Sequence, residues 1–108
     1  MKNLQRPIQP DPQQARRGLC EALLTLKTVD ECQRFLEDLC TPAELEALLD
    51  RWSVVAHLEA GVPYRQIHDL TGVSVTTIGR VARFLTQGSG GYQLALTRLK
   101  PRQRRKTK

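Results

Sequence analysis

One segment of the sequence, residues 64–81, constrains the fold more than any other, because it joins two apolar-striped stretches through a sharp turn. The turn has the sequence Thr71-Gly72-Val73-Ser74. Gly72 can adopt a positive φ, and Ser74 can accept a hydrogen bond from a free amide of a following helix. The pattern therefore predicts two short helices at a steep angle, a helix-turn-helix. The apolar side chains expected to fix that angle are Ile67, Leu70, Val73, Ile78 and Val81.

Further helix-start signals divide the remainder of the chain. Asp11-Pro12 is typical of an N-cap followed by a proline in the first turn, and residues 28–31 (TVDE) form a capping box, in which threonine and glutamate satisfy each other's free amides. Residues 41–44 (TPAE) repeat that pattern, and residues 88–91 form a flexible, glycine-rich break. No strand pattern occurs, so the predicted fold class is all-α with six helices. The predicted helices cover residues 12–27, 29–39, 42–60, 64–71, 75–86 and 92–99.

Hydrophobic stripes at helical spacing define the expected core. Only 5% of the residues are aromatic, so this core must consist mainly of leucine and valine. Cys20 and Cys32 fall at apolar positions of the stripes, where we expect them to behave as small hydrophobic residues. Six short helices with wide stripes bury limited area in one small chain, which favours a homodimer. The other striped positions are Leu19, Leu23, Leu24, Leu26, Phe35, Leu36, Leu39, Leu45, Leu48, Leu49, Trp52, Val55, Ala56, Leu94, Leu96 and Leu99.

The length of 108 residues allows one domain, flanked by two segments of different composition. We expect a flexible arm at residues 1–10, a helical domain at 11–99 with the helix-turn-helix at 63–86, and a disordered basic tail at 100–108. Residues 98–108 hold 7 basic and no acidic side chains, so the other 97 residues, with 10 basic and 11 acidic, have a net charge of −1. Such a tail suits a polyanion, but a purely solubilising role stays open.

Three classes of site find no support in the sequence. Cys20, Cys32 and Cys40 lack the spacings of a zinc or redox site, and His57 and His68 stand apart, so no metal site is predicted. No nucleophile with an adjacent base is visible, so we expect neither an enzyme nor a bound cofactor. No run of about 18 apolar residues occurs, so we expect a soluble, unexported, cytoplasmic protein without membrane contact.

The second helix of the turn motif carries side chains suited to the major groove of DNA. Threonine offers a hydroxyl to a base or phosphate, valine and threonine methyls suit the thymine methyl, and arginine suits guanine or phosphate. Glycine in a helix interior costs about 1 kcal/mol relative to alanine, so Gly79 indicates close approach of a partner to the backbone. The outward candidates are Val75, Thr76, Thr77, Gly79, Arg80 and Arg83.

Longer runs resemble one family of bacterial regulators. Residues 40–51 (CTPAELEALLDR) resemble the start of the long central helix of the Trp repressor, and the similarity continues through residues 64–67 and 72–80 to Leu85. The sequence RVARFL at residues 80–85, a glycine-rich stretch and GYQLAL resemble the YerC/YecD branch of the Trp repressor superfamily. The resemblance covers about residues 15–97 and omits both ends of the chain.

The resemblance implies an intertwined, all-helical homodimer whose two helix-turn-helix units contact successive major grooves of double-stranded DNA. It implies a regulator, most simply a repressor that occludes promoter DNA, in the bacterial cytoplasm and associated with the nucleoid. His68 departs from the pattern, because these motifs prefer alanine four residues before the turn glycine. The positions that match the family's DNA-facing residues are Arg65, His68, Val75, Thr76, Thr77, Gly79 and Arg80.

The same resemblance places an effector pocket at Arg51 and Arg80, the matches of two arginines that line the corepressor site. That site needs a glycine and a serine where this chain has Val81 and Phe84. Valine adds bulk, and a phenyl ring cannot accept a hydrogen bond from the ammonium group of an amino acid. L-tryptophan is therefore not expected as corepressor, and another small-molecule effector, or none, stays open.

One other function class remains as an alternative. The chain can also be interpreted as a small helical protein-interaction module, with a tail that binds polyanions without sequence preference. The salt dependence of binding distinguishes these two interpretations. Binding to DNA through several cations weakens steeply as salt is added, whereas binding through an apolar protein interface does not.

Overall fold

A computed structural model describes the backbone of residues 11–107 and the side chains of residues 11–99. The described residues contain helices and no strand, so the predicted all-α fold class with six helices is confirmed. The predicted arm at residues 1–10 lies outside the described residues. The helices are α1 (Pro12–Leu24), α2 (Val29–Leu39), α3 (Pro42–Glu59), α4 (Tyr64–Thr71), α5 (Val75–Gln87) and α6 (Gly91–Thr107).

The chain divides into two compact units at Thr41 and Pro42, and the first contains α1 and α2. Asp11 caps α1 as predicted, accepting a hydrogen bond from the amide of Gln13 at 3.3 Å. The capping box of α2 is formed in part: Thr28 Oγ1 accepts from the amide of Glu31 at 3.0 Å. The Glu31 carboxylate, however, accepts from the amide of Lys27 at 2.8 Å rather than from that of Thr28. The side chain therefore extends the cap by one residue toward the N-terminus.

The second unit has a small core in which α3 contacts both α4 and α5, and α4 contacts α5. Val54 and Val55 of α3 are fully buried, although the sequence stripe indicated Val55 alone. Four of the five apolar positions predicted to fix the helix-turn-helix lie in this core. The buried core residues are Val54, Val55, Ile67, Val73, Ile78, Val81 and Leu96, with Leu58, Val62, Leu85 and Tyr92 packed against them.

Several core predictions are wrong for the single chain. Leu70 is exposed, whereas Ile67, one helical turn earlier on α4, is buried. Neither α1 nor α2 has a buried residue, Leu24 is 83% exposed, and Cys20 and Cys32 are exposed. Helical spacing identifies the apolar face of a helix but does not say what covers that face. Most of the predicted stripe positions in α3 and α6 also lie outside the core.

The last helix differs most from the sequence prediction. The pattern ends this helix at Leu99 and treats residues 100–108 as disordered, whereas the backbone of α6 is helical as far as Thr107. The segment has no hydrophobic stripe, and Pro101 cannot donate a backbone hydrogen bond within the helix. The arginine, lysine and glutamine residues around Pro101 are nevertheless good helix formers. Absence of a core-forming pattern therefore does not exclude a helix.

Candidate nucleic-acid interface

The turn between α4 and α5 has the geometry of a tight helix-turn-helix. Gly72 has φ of 79°, and its amide donates to the carbonyl oxygen of His68 at 2.8 Å. Ser74 caps α5 by accepting from the amide of Thr77 at 3.1 Å. Thr71 Oγ1 donates to the carbonyl of Ile67 at 2.7 Å and accepts from the amide of Val73 at 3.0 Å. These bonds fix the direction in which α5 leaves the turn.

His68 also helps to fix the turn. Its ring Nδ1 lies 2.8 Å from the carbonyl oxygen of Val73. Because a carbonyl oxygen only accepts, we assign the Nδ1 proton to this hydrogen bond, which leaves Nε2 for contacts outside the chain. The side chain that departs from the expected alanine thus links α4 to the turn directly. His68 thus forms two hydrogen bonds with the turn: its ring donates to the carbonyl oxygen of Val73, and its own carbonyl oxygen accepts from the amide of Gly72.

An open groove runs along the outward face of α5. Its volume is about 630 Å³. Thr76, Arg80 and Arg83 follow one another at helical spacing, so they share this face, and Gly79 lies between them. The complete lining is Thr76, Gly79, Arg80, Arg83, Phe84 and Gln87.

The packing of the described residues does not require glycine at position 79. A Cβ atom built at this position would have its nearest neighbour, Tyr64 Cε2, at 4.0 Å, which is ordinary van der Waals distance. Its φ is not positive, so any residue could adopt its backbone conformation. The internal packing therefore does not explain why this helix interior has glycine.

The electrostatics of α5 favour an anion. The helix contains Arg80 and Arg83 and no acidic residue. Both arginines are exposed, and neither forms an ion pair with any described residue. In the first unit, ion pairs join Arg17 to Glu21 and Arg34 to Asp30. The partial positive charge at the N-terminus of α5 adds to the attraction for phosphate.

The remaining predicted DNA-facing residues lie on both sides of the turn. Arg65 and His68 are exposed on α4, and Val75 is 51% exposed at the start of α5. Thr77 is half-buried, and its Oγ1 accepts a hydrogen bond from Ser74 Oγ at 3.1 Å. Thr77 thus belongs to the cap of α5, and its own hydroxyl proton can still be donated.

A second cleft of about 300 Å³ brings together the four residues predicted for an effector pocket. Arg51 comes from α3, whereas Arg80, Val81 and Phe84 come from α5. Val81 is 2% exposed and Phe84 49% exposed, so the valine forms an inner wall and the phenyl ring an open side. Arg80 therefore borders both this cleft and the groove along α5.

Tyr92 is the lining residue that the sequence did not indicate for this cleft. It lies at the start of α6, and its ring centroid is 6.3 Å from that of Trp52. The chain reaches the cleft again after the glycine-rich break at residues 88–91, in which Gly90 has φ of 87°. The break was visible in the sequence, but the direction that α6 takes after it was not. The cleft lining therefore combines the aromatic rings of Phe84 and Tyr92 with the side chains of Arg51 and Arg80.

Two kinds of site do not appear among the described residues. No three His, Cys, Asp or Glu side chains of residues 11–99 lie together as metal ligands would. None of the helices in the described range combines the length and the apolar character that crossing a membrane requires.

Comparison with known proteins gives consistent matches. Residues 14–100 match the sequence profile described as Trp repressor protein. The uncharacterised protein YerC of Bacillus subtilis is 43% identical over 82 residues, which are 76% of this chain and 79% of YerC. A TrpR-like protein from Eubacterium eligens has a similar structure, with a TM-score of 0.76 at 40% identity over 81% of this chain and 90% of that one. A candidate Trp repressor from Staphylococcus aureus also has a TM-score of 0.76, at 32% identity over 93% of this chain and 96% of that one.

Proposed function

The chain belongs to the Trp repressor family, a family of DNA-binding regulators rather than enzymes, and from that premise we propose that it is a sequence-specific transcriptional repressor. It acts on double-stranded bacterial DNA in the cytoplasm, at the nucleoid. The observation that carries the proposal is the outward face of α5. Two arginines that form no ion pair with a described residue lie there beside a glycine that the packing of the described residues does not require. In this proposal it represses by occluding promoter DNA.

The proposed contacts divide into two kinds. Thr76, Gly79 and Arg80 on α5 face base edges in the major groove, where threonine methyl and arginine guanidinium discriminate between bases. Arg65 and His68 on α4 contact the phosphate backbone and set the orientation of the motif. His68 uses Nε2 for this contact because its Nδ1 is held by Val73. Val75, Thr77 and Arg83 complete the proposed surface.

We further propose that the functional form is a homodimer. Fourteen large hydrophobic side chains of the described residues are exposed in the single chain, against seven core residues that are buried. The exposed positions include Leu19 and Leu23 of α1 and Leu48 and Trp52 of α3, and the members of each pair lie four residues apart on one helix face. A second copy of the chain would cover these faces and place two helix-turn-helix units about 34 Å apart. Sedimentation equilibrium should give twice the chain mass, and a monomer at micromolar concentration would contradict this proposal.

An equilibrium binding assay tests the DNA contacts. Arg80→Ala should weaken binding to a selected operator duplex by roughly 5- to 150-fold, the range for one base contact. Arg16→Ala, an exposed arginine on α1, is the control and should leave affinity within about twofold. Circular dichroism and sedimentation should show that both variants remain folded and dimeric. Equal affinity of wild type and Arg80→Ala would contradict the proposed contact.

The cleft at Arg51 and Arg80 supports a second proposal, that a small anionic effector binds there. Neither guanidinium forms an ion pair with a described residue, and Phe84 and Tyr92 provide apolar contact. L-tryptophan is not the proposed ligand, because Phe84 offers its ammonium group no hydrogen-bond acceptor.

Calorimetry with single organic acids tests the effector proposal, with L-tryptophan in the same series. At least one organic acid should bind wild type, and Arg51→Ala should abolish that binding. Tight binding of L-tryptophan would refute the argument from Phe84. Absence of binding by the whole series would contradict the effector proposal without affecting the DNA proposal.

A further inference from the structure

The last helix continues well beyond the packed part of the chain. Leu96 is the last buried residue of α6 among the described side chains, and the three residues after it are exposed. The helical backbone nevertheless extends to Thr107. At 1.5 Å per residue, it reaches about 16 Å past Leu96. We call residues 98–107 the basic extension; its first two residues lie outside the core.

The sequence of the basic extension makes it strongly cationic. It contains no acidic residue, so no carboxylate is available one helical turn away from any of its cations. Its six cations lie within about 12 Å along the helix axis. Duplex DNA carries about one negative charge per 1.7 Å, so the two linear charge densities are similar. Like charges four residues apart destabilise a helix, and a polyanion that neutralises them removes that repulsion. The cations are Arg98, Lys100, Arg102, Arg104, Arg105 and Lys106.

The rest of the chain does not balance this charge. The 97 residues before it have a net charge of −1, whereas residues 98–108 hold 7 basic side chains. Arg98, whose side chain is described, is exposed and forms no ion pair with a described residue. The basic extension therefore carries an excess of positive charge that a partner with closely spaced anions would neutralise.

We infer that the basic extension is a second DNA-binding element, which contacts phosphates of the same duplex that α5 recognises and does so without sequence preference. The inference rests on the proposed function, because the duplex is the one bound through the helix-turn-helix. Each phosphate contact releases condensed counterions, so the basic extension raises affinity for every sequence and makes binding more sensitive to salt. Its helix is more stable on DNA than in free solution.

The test uses the full chain and a variant with Arg102→Gln, Arg104→Gln, Arg105→Gln and Lys106→Gln, which keeps the length and good helix formers. Affinity is measured for a selected operator duplex and for a scrambled duplex between about 50 and 200 mM salt. We expect the four substitutions to weaken binding to both duplexes by the same factor, roughly tenfold or more at about 150 mM salt. The slope of log affinity against log salt should become shallower by about 0.9 for each phosphate that the variant no longer neutralises. Hydrogen exchange of residues 98–107 should slow when either duplex is added.

Two results would overturn the inference. Unchanged affinity and slope on both duplexes would show a solubilising role only. Loss of affinity for the operator alone would show base recognition rather than phosphate binding.

A parallel measurement with Thr77→Ala separates this inference from the proposed function. If wild type does not prefer the operator and Thr77→Ala changes nothing, the helix-turn-helix proposal fails. The salt slope of the glutamine variant still decides whether the basic extension binds DNA.

Discussion

The substitution Gly79→Ala should make the free protein more stable and the DNA complex weaker. Alanine is favoured over glycine in a helix interior by about 1 kcal/mol. The added Cβ meets Tyr64 Cε2 at 4.0 Å, so no strain offsets this gain. For a domain of this size we expect the free energy of unfolding to rise by about 1 kcal/mol and the Tm by about 4 °C.

The effect on DNA binding has the opposite sign. If the backbone of Gly79 lies against the major groove, a methyl group there displaces α5 from the bases. Disrupting recognition of one base pair costs about 1–3 kcal/mol, which corresponds to roughly 5- to 150-fold weaker binding to the operator. Thermal unfolding of the free protein and fluorescence anisotropy with a labelled operator measure the two effects separately.

Gly18→Ala provides the control for this experiment. Gly18 lies in the interior of α1, and a Cβ at that position would meet no atom within 4 Å. The same gain in stability should therefore appear without any change in DNA affinity. If Gly79→Ala lowered the Tm, the packing argument would be refuted; if it left operator affinity unchanged, the argument for close approach of DNA would be refuted.

Three further substitutions test how the turn is held. Ser74→Ala removes the cap of α5 and should lower the free energy of unfolding by about 1 kcal/mol, measured by urea denaturation, with Ser74→Thr retaining most of it. Gly72→Ala places a side chain at φ of 79° and should cost about 1–2 kcal/mol in the same assay, whereas an unchanged midpoint would contradict the strained geometry. His68→Ala removes the hydrogen bond to Val73 and should cost about 1 kcal/mol, and a more stable variant would show that this bond contributes nothing.

The sequence predicted the helix-turn-helix well because its signals are local. Gly72 and Ser74 act on their own backbone neighbours, and the structure ends α4 at Thr71 and begins α5 at Val75, as the turn residues indicated. The C-terminus of α5 lies at Gln87, one residue beyond the predicted position. Ile67 and Ile78 are buried in the same hydrophobic core, as their positions on the apolar stripes of α4 and α5 predict.

The rest of the core depended on contacts that no local pattern contains. Cys20 and Leu24 lie on apolar stripes, yet both are exposed in the single chain. The prediction was wrong because an apolar stripe does not distinguish a face covered by a partner chain from a face covered by an internal core. Tyr92 lines the cleft beside Arg51 because of the direction that the chain takes after the break at residues 88–91, and that direction depends on how α6 packs. The family resemblance identified the other four cleft residues, which composition and spacing alone do not connect.

The central claim, recognition of DNA sequence by α5, is tested most directly by selection of genomic fragments with the purified full chain at about 150 mM salt. We expect recovery of a pseudo-palindromic site with half-sites about one helical turn apart, bound without added L-tryptophan. Recovery of fragments without a common sequence, sensitive only to salt, would contradict it and would favour a protein-interaction module whose basic segment binds any polyanion.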